Sequence, residues 1–294
     1  MKTHTLAPLV LLLGAGAAQA ADPALQKVSL HAVDAPRPAA ATAIPDGTLV
    51  FTAAPRESVA AGEEIYGPVA AYLSQVTGRN VVYRHPGNWL SYQTEMKKGS
   101  YDLVFDGPHF NGWRANRMKH NVLVRAPGNQ SFVVVAKKGN DRVNENRDLA
   151  GRPLCGMSPP NLGSIMVLRT FDNPAREPVL VPSEGWQASF NGMVTGRCTA
   201  AIVPTTHLAK FDPNGTLTKV IYRGDAVPNQ ALSAGPRVSA EDQTKIALAL
   251  TAPQARTATA KLREAFAVTG DLVPAVNADY VRTAGLLKDA YGYH

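Results

Sequence analysis

The chain has 294 residues, 45% hydrophobic and 18% charged, which suits one large domain or two ordinary ones and excludes a disordered chain. Its formal charge is +7, but Lys and Arg are scattered and do not alternate with aromatic residues, so the basic balance is a solubility property and not a nucleic-acid footprint.

Met1-Lys2-Thr3-His4 is a short basic start, 6–18 an apolar run too short for a comfortable membrane span, and Ala18-Gln19-Ala20 a small-x-small cleavage site. Residues 1–20 are thus expected to be a signal peptide, cut near Ala20/Ala21, with export to a bacterial periplasm. No Cys stands at the cut to carry a lipid anchor. Residues 21–46 are dense in Ala and Pro, bury little apolar surface, and are expected to be a flexible leader.

From Thr48 a regular pattern begins. Leu49-Val50-Phe51-Thr52 reads as a strand, followed by a polar turn holding Arg56. A helix over 63–77 follows, with Ile65, Val69, Tyr72, Leu73 and Val76 on one face and Gly78 as its stop. A strand over 80–83, a helix over 89–98 and a strand over 101–105 complete β-α-β-α-β, the pattern of a doubly wound parallel sheet. The last strand breaks into Asp106-Gly107-Pro108-His109. Ligands gather beyond the carboxyl ends of such strands, so Arg56, Asp106 and His109 are candidate ligand residues, with Tyr66 and Trp89 near the same loops.

The unit then repeats: strands over 152–157, 178–182 and 198–203 alternate with helices over 164–171 and 186–195. Extended residues 229–238 lead to helices over 239–251, 258–266 and 278–291. The expected division is 47–136 with 230–294 as lobe one and 137–229 as lobe two, joined by two hinge crossings and closing on a ligand. The facing loops of lobe two contribute Ser158, Asn161, Gly163, Ser164, Glu184, Trp186, Thr205 and His207. Asp106, His109, Glu184 and His207 also contain metal-ligand types, although no HxxxH or His-rich tract organises them, so no metal is assigned. No G-x-S-x-G, HExxH or P-loop is present; Ser158, before two prolines, reads as a turn residue and not a nucleophile. Neither catalysis nor a cofactor is expected. Cys155 and Cys198 are the only cysteines. An even count in an oxidising compartment favours a disulfide between neighbouring lobe-two strands, the alternative being a buried pair of free thiols.

Four segments in order, KKGSYDLVFDGPHF, RDLAGRPLCGMSPPNLGS, GWQASFNGMVTGRCTAAIVP and LVPAVNADYVRTAGLL, resemble those of phosphonate/phosphite-type periplasmic solute-binding proteins. The resemblance implies the two-lobed type 2 periplasmic-binding fold. It also implies capture of a phosphonate- or phosphate-like oxyanion or related small polar solute, and delivery by a monomer to an ABC permease in the inner membrane. Alternatives are a sensor subunit for a receptor kinase, or a binder of a metal complex or cationic solute. The chain departs from the family pattern twice. Asn161-Leu162-Gly163-Ser164 stands where phosphonate binders carry a Ser-Thr-Ser-Gly run, leaving backbone donors but fewer hydroxyls. An ionised Asp106 in a closed cleft is expected to repel an oxyanion.

Overall fold

The computed structural model describes residues 47–288 together with 290 and 293; the expected signal peptide and leader lie outside them. Lobe one begins with β1 (Leu49–Ala53), α1 (Val59–Thr77), β2 (Val81–Tyr83), α2 (Trp89–Lys97), β3 (Leu103–Asp106), α3 (Pro108–Arg117) and β4 (Asn121–Arg125). Helix α1 starts one turn earlier than its apolar periodicity suggests because the Ser58 hydroxyl accepts from the Ala61 amide at 3.3 Å. Gly78 closes it at φ 69°, a left-handed position that glycine occupies without strain. The chain continues through β5 (Asn129–Gln130), β6 (Phe132–Lys137), β7 (Pro153–Gly156), α4 (Leu162–Leu168), β8 (Val179–Pro182), α5 (Trp186–Val194), β9 (Ala200–Pro204), α6 (Thr205–Phe211) and β10 (Thr218–Arg223). It returns through β11 (Val227–Pro228) to β12 (Ala231–Ala234), α7 (Ala240–Thr251), α8 (Ala260–Ala265), β13 (Val273–Pro274) and a 3₁₀ segment, Val281–Leu287.

Two sheets result, in the orders β13-β4-β12-β3-β1-β2 and β10-β6-β9-β7-β8, with β11 and β5 forming a two-stranded ribbon. In each sheet three strands run parallel, as the β-α-β-α-β pattern predicts: β1 with β2 and β3, and β7 with β8 and β9. The remaining pairings are antiparallel, so both sheets are mixed. These two sheets are the two lobes expected from the sequence.

Phe132–Lys137 corrects the expected boundary after residue 136. It sits inside the second sheet, with Val133 opposite Val203 and Val135 opposite Ala201, so the chain has crossed by the β5–β11 ribbon. The run is continuously apolar because both its faces are buried. Phe132, Val134 and Ala136 enter one cluster with Leu154 and Ile202, and Val133 and Val135 another with Phe190 and Met193. Where the sequence predicts a helix over 278–291, the described residues form a 3₁₀ segment, Val281–Leu287, held against α3: the Thr283 hydroxyl donates to the Pro108 carbonyl at 2.7 Å. Gly112 permits this approach, since a Cβ there would strike the Tyr280 carbonyl. No helix among the described residues is long and apolar enough to cross a membrane.

Cys155 and Cys198 form a disulfide with Cα atoms 5.6 Å apart, which resolves the choice left open by the sequence. It fastens β7 to the turn that follows α5. Gly192 makes room for it, because a Cβ at that position would lie 2.6 Å from the Cys155 sulfur. The bridge spans 43 residues of sequence. A Cys155→Ser/Cys198→Ser variant is expected to lose about 4 kcal/mol of stability in urea unfolding. Unreduced protein should show no reactive thiol after denaturation.

Candidate functional site

The carboxyl end of β3 carries Asp106, completely buried and held on every side. Its Oδ1 accepts from Arg56 Nη2 at 2.7 Å and from the Gly107 amide at 2.7 Å. Its Oδ2 accepts from Arg114 Nη1 at 3.2 Å and from the Tyr92 hydroxyl. Arg114 is itself fully buried and also donates to Tyr92, Asn111 and Ser233. Burial alone would raise the Asp106 pKa, but the Arg56 and Arg114 guanidiniums hold it below the ordinary carboxyl value. For Arg56, burial works against its charge, and Asp106 together with Tyr66, Glu57 and Tyr92 more than offsets it. The three groups together carry one net positive charge, and Asp106 has no oxygen left to offer a ligand. This corrects its assignment as a ligand residue.

Arg56 reaches a cavity of roughly 270 Å3 between the lobes, and it is the only Asp, Glu, Lys or Arg lining it among the described residues. Its Nη1 is buried without a partner. The apolar wall includes Trp89, Phe110, Phe132, Trp186 and Phe266, and Arg56 lies over the Phe266 ring at 5.9 Å. The hinge residues Asn129, Gln130, Asn229 and Gln230 close one side. His109 faces the same cavity, and its Nε2 donates across the lobes to the Pro160 carbonyl at 3.0 Å. Burial lowers its pKa to about 4, only partly offset by Asp106, so the ring is neutral at pH 7. Gly107 is needed beside it: a Cβ there would lie 2.8 Å from His109 Cε1.

Of the residues expected from the sequence, Arg56, Trp89, His109, Asn161, Trp186 and His207 therefore meet around one cavity. The others do not. Tyr66 is fully buried in the lobe-one core, stacked 5.2 Å from Tyr83. Ser158 and Glu184 border an adjoining hollow with Arg56, Glu57 and Trp89. Gly163 packs against Phe132, and its amide donates to Asn161 Oδ1 at 3.0 Å. Ser164 is buried and donates to the Met157 carbonyl. Thr205 is engaged with Ser131, its hydroxyl 2.8 Å from the Ser131 hydroxyl, and Thr206 lines the cavity instead. The metal-ligand types Asp106, His109, Glu184 and His207 are not brought together, and no metal-holding group occurs among the described residues.

Sequence reasoning missed Tyr92 and Arg114, which fix Asp106, and the hinge residues. Arg114 carried a usable signal: it lies eight positions after Asp106, on the helix that begins at the next turn.

The chain matches the family model described as the periplasmic substrate-binding protein of phosphonate ABC transporters over residues 51–280. A search of curated proteins finds no match. Among solved structures, a Xanthomonas citri protein bound to ATP aligns at TM-score 0.66 and 11% identity, covering 84% of this chain and 97% of that one. PhnD1 from Prochlorococcus marinus in complex with methylphosphonate aligns at 0.66 and 12%, covering 82% and 97%. A binding-protein component of a phosphonate ABC transporter from Pseudomonas aeruginosa aligns at 0.63 and 15%, covering 81% and 85%. At these identities the likeness is one of fold.

Asp106→Asn would leave the buried Arg114 without a carboxylate, and a loss of about 3–5 kcal/mol in urea unfolding is expected. The solvent-screened pair Arg256–Asp271 supplies the contrast, with Asp271→Asn expected to leave the urea midpoint nearly unchanged. Burial also lowers His120, to about 3. Below pH 6.5 the unfolded chain binds protons that folded His109 and His120 refuse, so stability falls as pH drops from 6.5 toward 4. Urea midpoints at pH 7.0 and 4.5 measure the fall, and His120→Asn should reduce it.

Proposed function

The chain belongs to the periplasmic substrate-binding proteins of phosphonate-type ABC transporters, and from that premise we propose that its inter-lobe cavity captures a small organic oxyanion for an inner-membrane permease. The observation that carries this reading is Arg56: a cavity-lining guanidinium with one unpaired nitrogen, in a cavity without a carboxylate among the described residues. In this reading Asp106 does not repel the anion, because the Arg56 and Arg114 guanidiniums neutralise it. An anion within a few ångströms of Arg56 is favoured in such a water-poor site.

The aromatic wall suits an apolar substituent on that anion, as a phosphonate carries and inorganic phosphate does not. Methylphosphonate in the Prochlorococcus structure has this chemistry. The cation and metal-complex readings lose their support, since Asp106 is occupied and Glu184 lies in the adjoining hollow. In this reading the protein captures and releases its ligand without chemical turnover. It works in the periplasm after cleavage near Ala20/Ala21.

Titration calorimetry with methylphosphonate at pH 7 tests the proposal. The full chain is expected to bind it, and Arg56→Gln to weaken binding by about 100-fold. Arg114 remains paired with Asp106 in that variant, so it is expected to stay folded with a lowered melting temperature, and affinity is compared on the folded protein. Unchanged affinity in Arg56→Gln would sink the assignment.

A further inference from the structure

Three buried side-chain polar atoms without a hydrogen-bond partner belong to residues lining the inter-lobe cavity that Arg56 reaches: Arg56 Nη1, His109 Nδ1 and Gln230 Oε1. A buried polar atom without a partner costs about 1–3 kcal/mol, and such a cluster marks groups that an occupant satisfies. The three differ in kind. Arg56 Nη1 can only donate. His109 Nε2 gives its hydrogen to the Pro160 carbonyl, which can only accept. The ring is neutral, so Nδ1 holds a lone pair and must accept. Gln230 Oε1 is a carbonyl oxygen whose amide nitrogen already donates to Gln130 Oε1 at 3.3 Å. The two acceptors flank one glycine: a point in the Cβ direction from Gly107 lies 2.9 Å from His109 Nδ1 and 3.6 Å from Gln230 Oε1. That glycine's amide donates to Asp106 Oδ1, the oxygen that also holds Arg56.

Resting on the oxyanion reading above, we infer that the site takes an oxyanion that keeps a proton, with Arg56 holding the charge and His109 Nδ1 and Gln230 Oε1 accepting from the ligand's O–H. A fully deprotonated oxyanion offers lone pairs only. It would set them against two buried lone pairs and leave both acceptors unsatisfied. A site built to accept from a ligand hydroxyl rejects the analogue that lacks it far more strongly than an apolar pocket rejects a missing methyl group. The ligand class is therefore the hydrogen phosphonate monoanion and its protonated relatives, and sulfonates of the same shape and charge are excluded.

Methylphosphonate monoanion and methanesulfonate make the decisive pair, since both carry one negative charge and a methyl group and they differ by one O–H. Calorimetry on the full chain at pH 6 is expected to show methylphosphonate bound and methanesulfonate weaker by about 100-fold or more. Methylphosphonate affinity should also fall as the pH passes its second ionisation. Gln230→Met and His109→Phe should each shrink the discrimination to less than about tenfold. Gln230→Met leaves the His109–Pro160 bond in place and so tests the idea even if His109→Phe folds poorly. Methanesulfonate binding within threefold of methylphosphonate would overturn the inference and leave the oxyanion reading standing. Discrimination that survives in Gln230→Met and in any folded His109→Phe would overturn the residue assignment. Binding of neither anion would overturn both readings together.

Discussion

A single buried carboxylate, Asp106, organises the ligand-facing wall of lobe one. Taking its charge out of water is costly, and two guanidiniums, a phenol and a backbone amide offset that cost. The partners come from four places: the loop after β1, α2, the turn after β3, and α3. One side chain thus locks the ends of two parallel strands to the two helices beside them. The same contacts decide the sign of the site. One arginine is fully buried, and the other, Arg56, brings a guanidinium to the cavity where a ligand would lie.

The alternation of strand and helix was legible because its periodicity is local: three parallel strands in each lobe follow from the apolar runs, and Gly78 and Ser239 mark a helix end and a helix start. What failed was information carried by distant partners. Phe132–Lys137 reads as a buried strand in either sheet, and nothing in its own residues says that it pairs with β9. Helix α3 escaped because it buries Asn111, Arg114 and Trp113 together, so its inward face is not apolar in the usual sense. The repulsion argued for Asp106 was sound for a lone carboxylate and failed because its arginines stand 50 residues upstream and 8 downstream. Six of the candidate residues share a cavity because they follow strand ends, where topology alone places them. Gln230 was invisible, since it arrives on the returning strand after a whole lobe has been built.

The turn before α4 shows how the departure from the phosphonate pattern works. Asn161 Oδ1 takes the Gly163 amide, and the Ser164 hydroxyl is spent on the Met157 carbonyl. Two of the donors that could cradle an anion there, the Gly163 amide and the Ser164 hydroxyl, are satisfied within the turn. The unpaired donor lies across the cavity on Arg56. In the proposed reading the anion is therefore anchored by lobe one, and lobe two contributes Trp186, His207 and Asn161 as an enclosing wall.

That division of labour bears on closure. Each crossing is only two residues of ribbon, Asn129–Gln130 against Val227–Pro228, and Asn229 and Gln230 continue directly from it. Gln130 and Gln230 touch each other at the hinge and also line the cavity. In the proposed reading, a ligand that satisfies Gln230 touches the segment that joins the lobes, with no relay between site and crossing. The His109–Pro160 bond adds a direct link between the lobes, made by the same ring whose other nitrogen awaits a partner. An occupant accepted by that ring fixes its orientation and so supports the inter-lobe bond. Binding and closure then share the same side chains, which is how a small anion can shift a two-lobed equilibrium by its contacts alone.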